Sequence, residues 1–469
     1  MDANIKELIS NTFLFTIANL GSKFLVFLMV PFYTYVLTPQ EYGVAGVVQT
    51  TSALLIPILT LKTQDAVLRF CFQKGVNRAS LLSIGMTITI AGGLLCVLLT
   101  FLFRLCPLFE EVGNYMFFLP FLLFAHSLSL LFSFFARGID RVRSSAISGV
   151  INTIAVVSFN LIFLLILHTG VKGYLLSYVI ADLASAFYLF FSCGIKKYVK
   201  KGIDRPLTKE MLLFSVPLIP TSLSWWLLSS FNNYLTLSIL GATAVGLYTA
   251  SMRVPSILTT LSDIFSQAWL LSALKNYETE EGKRFIKSVH RKFFAILCFM
   301  TGGLILCTCP IAKILLSGEF FNSWRIIPLL FVSVFWGSLT GFYGSIFSAE
   351  KKTTIHFTST IVGGIVSVVV VVVFLRRYGL MVIPIGTLMG YFTIWLIRKE
   401  RLKKYINLGF STIESIIKGG LLTIMAIFVI YELYWYAIAL YLLLIISSGK
   451  SLISILLFGL KEARARAKV

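Results

Sequence analysis

NLGSKFLVFLMVPFYTYVLTPQEYG, residues Asn19–Gly43, decides how the chain is to be read. Around Lys23 the residues are mostly apolar or aromatic. Together with the residues from Asn11 they make a run long enough for a helix that crosses the roughly 30 Å hydrocarbon layer. The run stops at Leu37 in a short polar turn, and a second apolar run opens at Val44. Lys23 lies near the middle of the first run, and its stem reaches only about 6 Å, so the ammonium snorkels to neither surface. A charge at that depth costs several kcal/mol unless it faces a partner or a watery cavity. Asn19, one turn earlier, puts a second polar group on the same helix face.

The pattern recurs outward from this stretch. About fourteen apolar runs of crossing length follow one another, from Asn11–Leu37 and Val44–Ala66 to a last one at Tyr434–Phe458 that Lys450 interrupts. Of 469 residues 57% are hydrophobic and 13% charged, with mean hydropathy +0.88, whereas soluble domains carry about 25% charged residues. The expected fold is an all-α polytopic membrane protein with no separate soluble domain. The first run has no small-residue cleavage site and is one of many, so it reads as a retained helix and not a signal peptide.

The net charge of +21 does not mark a nucleic-acid binder, because Lys and Arg concentrate in alternate loops. That distribution orients membrane helices and meets anionic lipid headgroups. The linker 196–209 carries Lys196, Lys197, Lys200, Lys201, Arg205 and Lys209, whereas the turns at Thr38–Tyr42 and Gly241–Gly246 have no Lys or Arg. Both termini and the linker are therefore expected on the cytoplasmic side. The linker also divides the chain into a six-helix lobe at 1–195, a second at 210–398, and two extra helices with a basic tail at 399–469. A weak internal echo supports two parallel repeats. LTPQEYGVAG (Leu37–Gly46) and LGATAVGLYTA (Leu240–Ala250) are both Gly-containing turns that lead straight into another run.

The ionisable residues inside apolar runs are the candidate functional groups. Lys23 and Arg253 read as contacts for a phosphate or diphosphate, Arg because its fork stays charged when desolvated. Each has a structural alternative, a carboxylate partner such as Asp182 for Lys23 and backbone carbonyls freed by Pro255 for Arg253. Lys62, Asp65 and Arg69 are spaced to stack on one face of a continuous helix, either as an ion ladder or as an entrance that collects an anionic headgroup. Asp182 and Asp263 are candidate coupling groups for H⁺ or Na⁺, or else partners of those cations. His126 and His168 read as interfacial. Pro217 and Pro220 make the seventh run irregular, and Trp225 and Trp226 either line a sugar path or pack.

No phosphate-cradling GxxxxGK[ST] loop, HExxH or GxSxG is present, and the outer loops are short, so an enzyme is not expected. The seven scattered cysteines read as packing residues, and Cys307-Thr-Cys309 has no second pair to complete a metal site.

Asn19–Gly43 and SVPLIPTSLSWWLLSSFNNYLTLSILGATAVGLYTASMRVPSIL (Ser215–Leu258) resemble corresponding segments of the polysaccharide-transport branch of the multidrug/oligosaccharidyl-lipid/polysaccharide exporter superfamily. The resemblance extends over the chain in length and span pattern. It implies two six-helix lobes related by a pseudo-twofold axis and a cationic cavity between them. It also implies that the chain flips a polyprenyl-diphosphate-linked oligosaccharide to the outer leaflet of a bacterial plasma membrane, as O-antigen (Wzx-type), capsule and exopolysaccharide flippases do. Lys23 and Arg253 fall where that family places basic residues. Implied partners are the lipid-linked oligosaccharide, membrane lipids, and a glycan polymerase with its assembly proteins. No cofactor is implied beyond a coupling ion. A cation-coupled drug or metabolite exporter would need acidic groups to dominate the cavity, and a membrane glycan polymerase would need larger polar loops.

Overall fold

The computed structural model describes residues 21, 24–25, 27–73, 75–105, 110–200, 202, 204–276, 280–349, 353–403 and 412–449. Among these the regular structure is helical throughout. Ten helical runs are long and apolar enough to cross a membrane, and a shorter apolar helix covers Tyr434–Gly449. Two of the runs, Arg205–Arg253 and Thr354–Leu402, hold 49 residues each, far more than one crossing needs. The chain is an all-α polytopic membrane protein.

It divides into two compact units, Met1–Ala250 and Ser251–Val469. The division lies about one helix beyond the basic linker 196–209 at which the sequence suggests a lobe boundary. The cause is the packing of the helix that follows the linker, which joins the first unit by contacts given below.

In the first unit the helices are α1 (Val30–Val36), α2 (Pro39–Leu59), α3 (Thr63–Cys71), α4 (Arg78–Leu105), α5 (Leu119–Gly138), α6 (Val142–Asn160), α7 (Gly170–Ser192), α8 (Arg205–Ser215) and α9 (Ile219–Arg253). The start of α2 is fixed by its sequence. Thr38 accepts from the Glu41 amide, Glu41 reaches back to the Thr38 amide (2.9 Å), and Pro39 stands where no N–H is needed. Tyr33, Tyr42 and Tyr174 tie α1, α2 and α7 together, with ring centroids 5.1–6.2 Å apart. At the other end Phe70, Leu81, Leu82, Phe132, Phe135, Leu189 and Met211 close a buried apolar cluster around α3. A short 3₁₀ segment at Val216–Leu218 separates α8 from α9 beside Pro217, the irregularity expected of that run.

Gly241 breaks α9 with φ 81° and ψ 176°, a conformation that favours glycine. The new helix start at Ala242 is capped from outside, its N–H donating to Glu111 Oε2 (2.8 Å). This start lies against the start of α2. A methyl group on Gly43 would overlap the Ala242 carbonyl oxygen, and one on Gly246 would overlap that of Pro39. The two segments that echo each other in sequence are thus joined backbone to backbone, as small residues allow between membrane helices.

In the second unit the helices are α10 (Ser256–Asn276), α11 (Glu280–Leu306), α12 (Thr308–Leu315), α13 (Ile327–Ala349), α14 (Thr353–Tyr378), α15 (Val382–Leu402), α16 (Thr412–Ile430) and α17 (Tyr434–Gly449). Helix α13 is the hub and packs against α10, α11, α14, α15 and α16. Its rings make the core, with Phe342 over Trp269 (centroids 4.7 Å) and Trp336 against Trp395 (4.7 Å).

Two expected runs are not single helices. The run Val44–Ala66 ends at Leu59 and restarts at Thr63, because Leu61 and Lys62 both adopt left-handed φ (49° and 55°). The run Ala244–Leu271 turns at Val254–Pro255, where Val254 N–H donates to the Ser251 carbonyl (3.2 Å). Proline lacks the N–H to continue and pushes its predecessor out of the helical region.

Gly43→Val should reduce stability by about 3 kcal/mol or more, since backbone on both sides must move. Gly420→Ala, with nothing near its added carbon, should not destabilise. Monodisperse yield and melting temperature in detergent read both outcomes.

Candidate functional site

The first candidate site is the corner between α2 and α3. Lys62 sits at the left-handed corner itself, and its Nζ lies 3.1 Å from Asp65 Oδ2, both side chains partly exposed. Each left-handed non-glycine residue costs about 1–2 kcal/mol, so the corner is a strained feature held by its surroundings. Thr60 helps, donating to the Ile56 carbonyl (2.7 Å) while Thr63 donates to the Thr60 carbonyl (2.9 Å). The expected three-residue ladder does not form. Arg69 lies over the Phe214 ring (4.4 Å to the centroid) and so binds α3 to α8. The charge that completes the corner is Arg137 of α5, which is electrostatically coupled to Asp65 and stacks on Phe134 (4.0 Å).

The second candidate centres on Asp182, buried in the middle of α7. Asn152 Nδ2 of α6 donates to its Oδ1 (2.8 Å), and His126 Nδ1 of α5 lies 3.2 Å from its Oδ2. Among the described residues Asp182 thus pairs with an imidazole and an amide. His126 is correspondingly not an interfacial residue. It stands one to two turns inside α5, facing the carboxylate. Sequence spacing could not show this, since the three residues come from three helices. A usable signal was present, because each interrupts an apolar run at mid-length.

Polar contacts also fix α9 to α2. Trp226 Nε1 donates to the Thr50 carbonyl (3.1 Å), Asn233 Nδ2 to Thr50 Oγ1 (2.9 Å), and the Thr51 and Tyr234 hydroxyls share a bond of 2.7 Å. Trp226 is therefore a packing residue, whereas Trp225 is 41% exposed.

Lys23 lies outside the described residues. Arg253 is half-buried at the last position of α9, and its carbonyl accepts from Ser256 Oγ across the Pro255 turn. Asp263 is exposed on α10, where its charge acts on the Tyr391 hydroxyl. Arg253 and Asp263 both belong to the second unit, on opposite sides of that turn.

The second unit holds buried cations that the sequence does not single out. Arg398 is 1% exposed. It donates to Ser359 Oγ (2.9 Å), the Thr340 carbonyl (2.7 Å), the His356 carbonyl (3.1 Å) and Thr360 Oγ1 (2.9 Å). All four acceptors are neutral. Lys418 pairs with Glu414 (3.1 Å) and donates to Ser448 (3.1 Å), and Lys399 lies over the Trp395 ring. In the first unit an apolar groove of about 780 Å³ runs between α4 and α5, lined by Leu94, Val97, Phe101, Phe117 and Phe121 with Lys172 at its edge.

Long apolar helices broken at charged corners, in two compact helical units, define a polytopic membrane fold. The comparisons agree. A structure of the lipid II flippase MurJ in an inward closed conformation matches with a TM-score of 0.70 and 13% identity, covering 95% of this chain and 100% of that one. An inward-facing multidrug-resistance MATE transporter of the MOP superfamily matches at 0.63 and 15% identity, with 83% and 98% covered. The chain belongs to the polysaccharide biosynthesis protein family, whose model matches residues 8–271. No curated protein matches the sequence.

Arg398→Leu should lower stability by about 3 kcal/mol by leaving two buried carbonyls and two hydroxyls without their donor. Arg398→Lys should recover part of that loss. Thermal unfolding of the purified protein measures both.

Proposed function

We propose that the protein is a flippase that moves a polyprenyl-diphosphate-linked oligosaccharide from the cytoplasmic to the outer leaflet of a bacterial plasma membrane, by ion-coupled alternating access. The observation that carries this reading is the polysaccharide-biosynthesis family match on a chain whose fold is that of a lipid-linked-precursor flippase over nearly its full length. The physical problem suits the residues. A diphosphate must cross about 30 Å of hydrocarbon, and fixed Lys and Arg side chains replace the water it sheds. Lys23 and Arg253 hold the diphosphate or acidic sugars, and Lys62 collects it at the α2–α3 corner while the lipid tail stays in the bilayer. Asp65 holds Lys62 in place, and Asp182 and Asp263 are the coupling candidates. The product feeds O-antigen, capsule or exopolysaccharide assembly.

The basic ends set the orientation. Lys196–Lys209 and both termini face the cytoplasm, while Cys307, exposed between α11 and α12, faces outward. Cys71 is buried beyond the end of α2, and burial pushes its thiol up to about 11.

Deleting the protein should cause a lipid-linked oligosaccharide to accumulate on the inner leaflet, and Lys23→Ala or Arg253→Ala should do the same at normal protein levels. Mass spectrometry of extracted lipid-linked sugars reads the result, and normal export by both variants would remove these residues from the site. A membrane-impermeant maleimide added to intact cells at neutral pH should label Cys307, which is exposed, and leave Cys71 unmodified, since Cys71 is buried.

A further inference from the structure

We propose that His126, Asp182 and Asn152 form the proton-binding site of the transport cycle, joined by rungs of hydroxyl groups to the basic end of the first unit. The inference rests on the transporter reading and names its coupling ion.

The donor set argues for a proton and against a metal ion. Asn152 aims an N–H at one oxygen of Asp182, and the Nδ1–H tautomer of His126 aims another at the second. A metal cation at this carboxylate would meet the positive ends of those bonds. No cluster of three His, Cys, Asp or Glu suited to a metal occurs among the described residues. A proton instead has a ready acceptor, the other ring nitrogen. Uptake of one H⁺ at His126 Nε2 converts imidazole and carboxylate into imidazolium and carboxylate, and the net charge of the pair goes from −1 to 0. Release restores −1. A unit charge that appears and disappears at mid-span changes the solvation of the unit strongly enough to bias its conformation.

Among the described residues the surrounding helices supply no competing charge at this level, and α3, which packs against α5, carries Asp65 and Arg69 toward the Arg137 end. Helix α2 has Glu41 and Tyr42 in its first turn, α4 has Arg78 at one end and buried Cys96, and α6 has Arg143 in its first turn. Helix α5 itself carries Arg137 at its far end, and α7 carries Lys172, Tyr174, Tyr178 and Tyr188 besides Asp182. Tyr174 and Tyr178 share a bond with each other (3.3 Å).

A path leads away from the pair. One turn along, Ser129 Oγ donates to Ser185 Oγ (3.2 Å) and Ser185 Oγ to the Ser148 carbonyl (3.1 Å). The next turn brings the Ser133 and Ser145 hydroxyls together (2.8 Å), and at the end Arg141 donates to the Ser192 carbonyl (2.6 Å). Successive rungs are one helical turn, about 5.4 Å, apart, a distance that one bridging water spans. The His126 side chain is 48% exposed, so the pair opens to its surroundings as well as to the rungs. Serines that merely bind helices together would give no dependence on pH.

The test uses the whole protein in lipid nanodiscs with isotope-labelled histidines, His126→Gln assigning the His126 signal. His126 should titrate within roughly pH 5–8, and Asp182→Asn should shift its midpoint toward acid by about one pH unit or more. In cells, export of the lipid-linked oligosaccharide should slow when nigericin collapses the pH gradient. His126→Gln and Asp182→Asn should export poorly and no longer respond to nigericin. Absence of titration from pH 5 to 9 would overturn the site, and variants that export normally with an unchanged nigericin response would overturn its role. If His126→Gln fails to fold, the Asp182→Asn shift decides. Titration of His126 in a protein that moves no oligosaccharide would uphold the proton site and remove the flippase reading instead.

Discussion

Hydrocarbon offers no hydrogen-bond partner to a peptide group, and this constraint governs the structure. It forces the chain into helices, and wherever a helix is broken the chain itself must serve the freed groups. The breaks seen here are served in that way. Thr60 and Thr63 bond backbone carbonyls at the α2–α3 corner. Glu111 caps the restart after Gly241. Ser256 donates to the Arg253 carbonyl beside Pro255. Where α6 ends, a π-helical turn covers Leu161–Ile166, and Thr169 donates back to the Phe163 carbonyl (2.8 Å). Two of these four breaks fall beside Lys62 and Arg253, cations that the sequence singles out. Irregular backbone and buried-run charge coincide at those two places, an arrangement also found where transporters are built from discontinuous helices.

The same constraint sorts the charged groups by the way they are accommodated. Lys62 and Lys418 are neutralised by carboxylates within one helical turn of sequence. Arg398 is surrounded by oxygen atoms of hydroxyls and carbonyls without any anion, so its charge is solvated by the protein much as water would solvate it. Asp182 is held by nitrogen donors from two other helices. Burial of charge costs free energy in each case, and each solution retains the charge at a defined place.

Much of this was legible in the sequence because hydropathy and charge are local. Apolar runs, the basic linker and the glycine-bearing turns each appear in a window of about 20 residues. Pairings between helices were not legible. His126 and Asp182 are 56 positions apart, and an apolar run carries little periodicity to show which way a residue points. The corner at Leu61–Lys62 was hidden for another reason. Its left-handed residues are neither glycine nor asparagine, so the usual turn signal is missing. The Pro255 turn was legible in principle, since proline interrupts a helix, although the apolar run Ala244–Leu271 reads as one span with carbonyls freed at Pro255.

The crossing of α2 and α9 has an evolutionary consequence. Gly43 meets Ala242 and Gly246 meets Pro39, so one offset of 203 positions carries each partner onto the other (39 to 242, 43 to 246). Residue i touching j while j's equivalent touches i's is the signature of a self-complementary contact in a twofold dimer. A half-length ancestor that paired with its own copy would have made this contact symmetrically, and gene fusion would then have enclosed it in a single chain. Fusion would have made the two glycines separate positions, yet each would remain confined by the backbone packed against it.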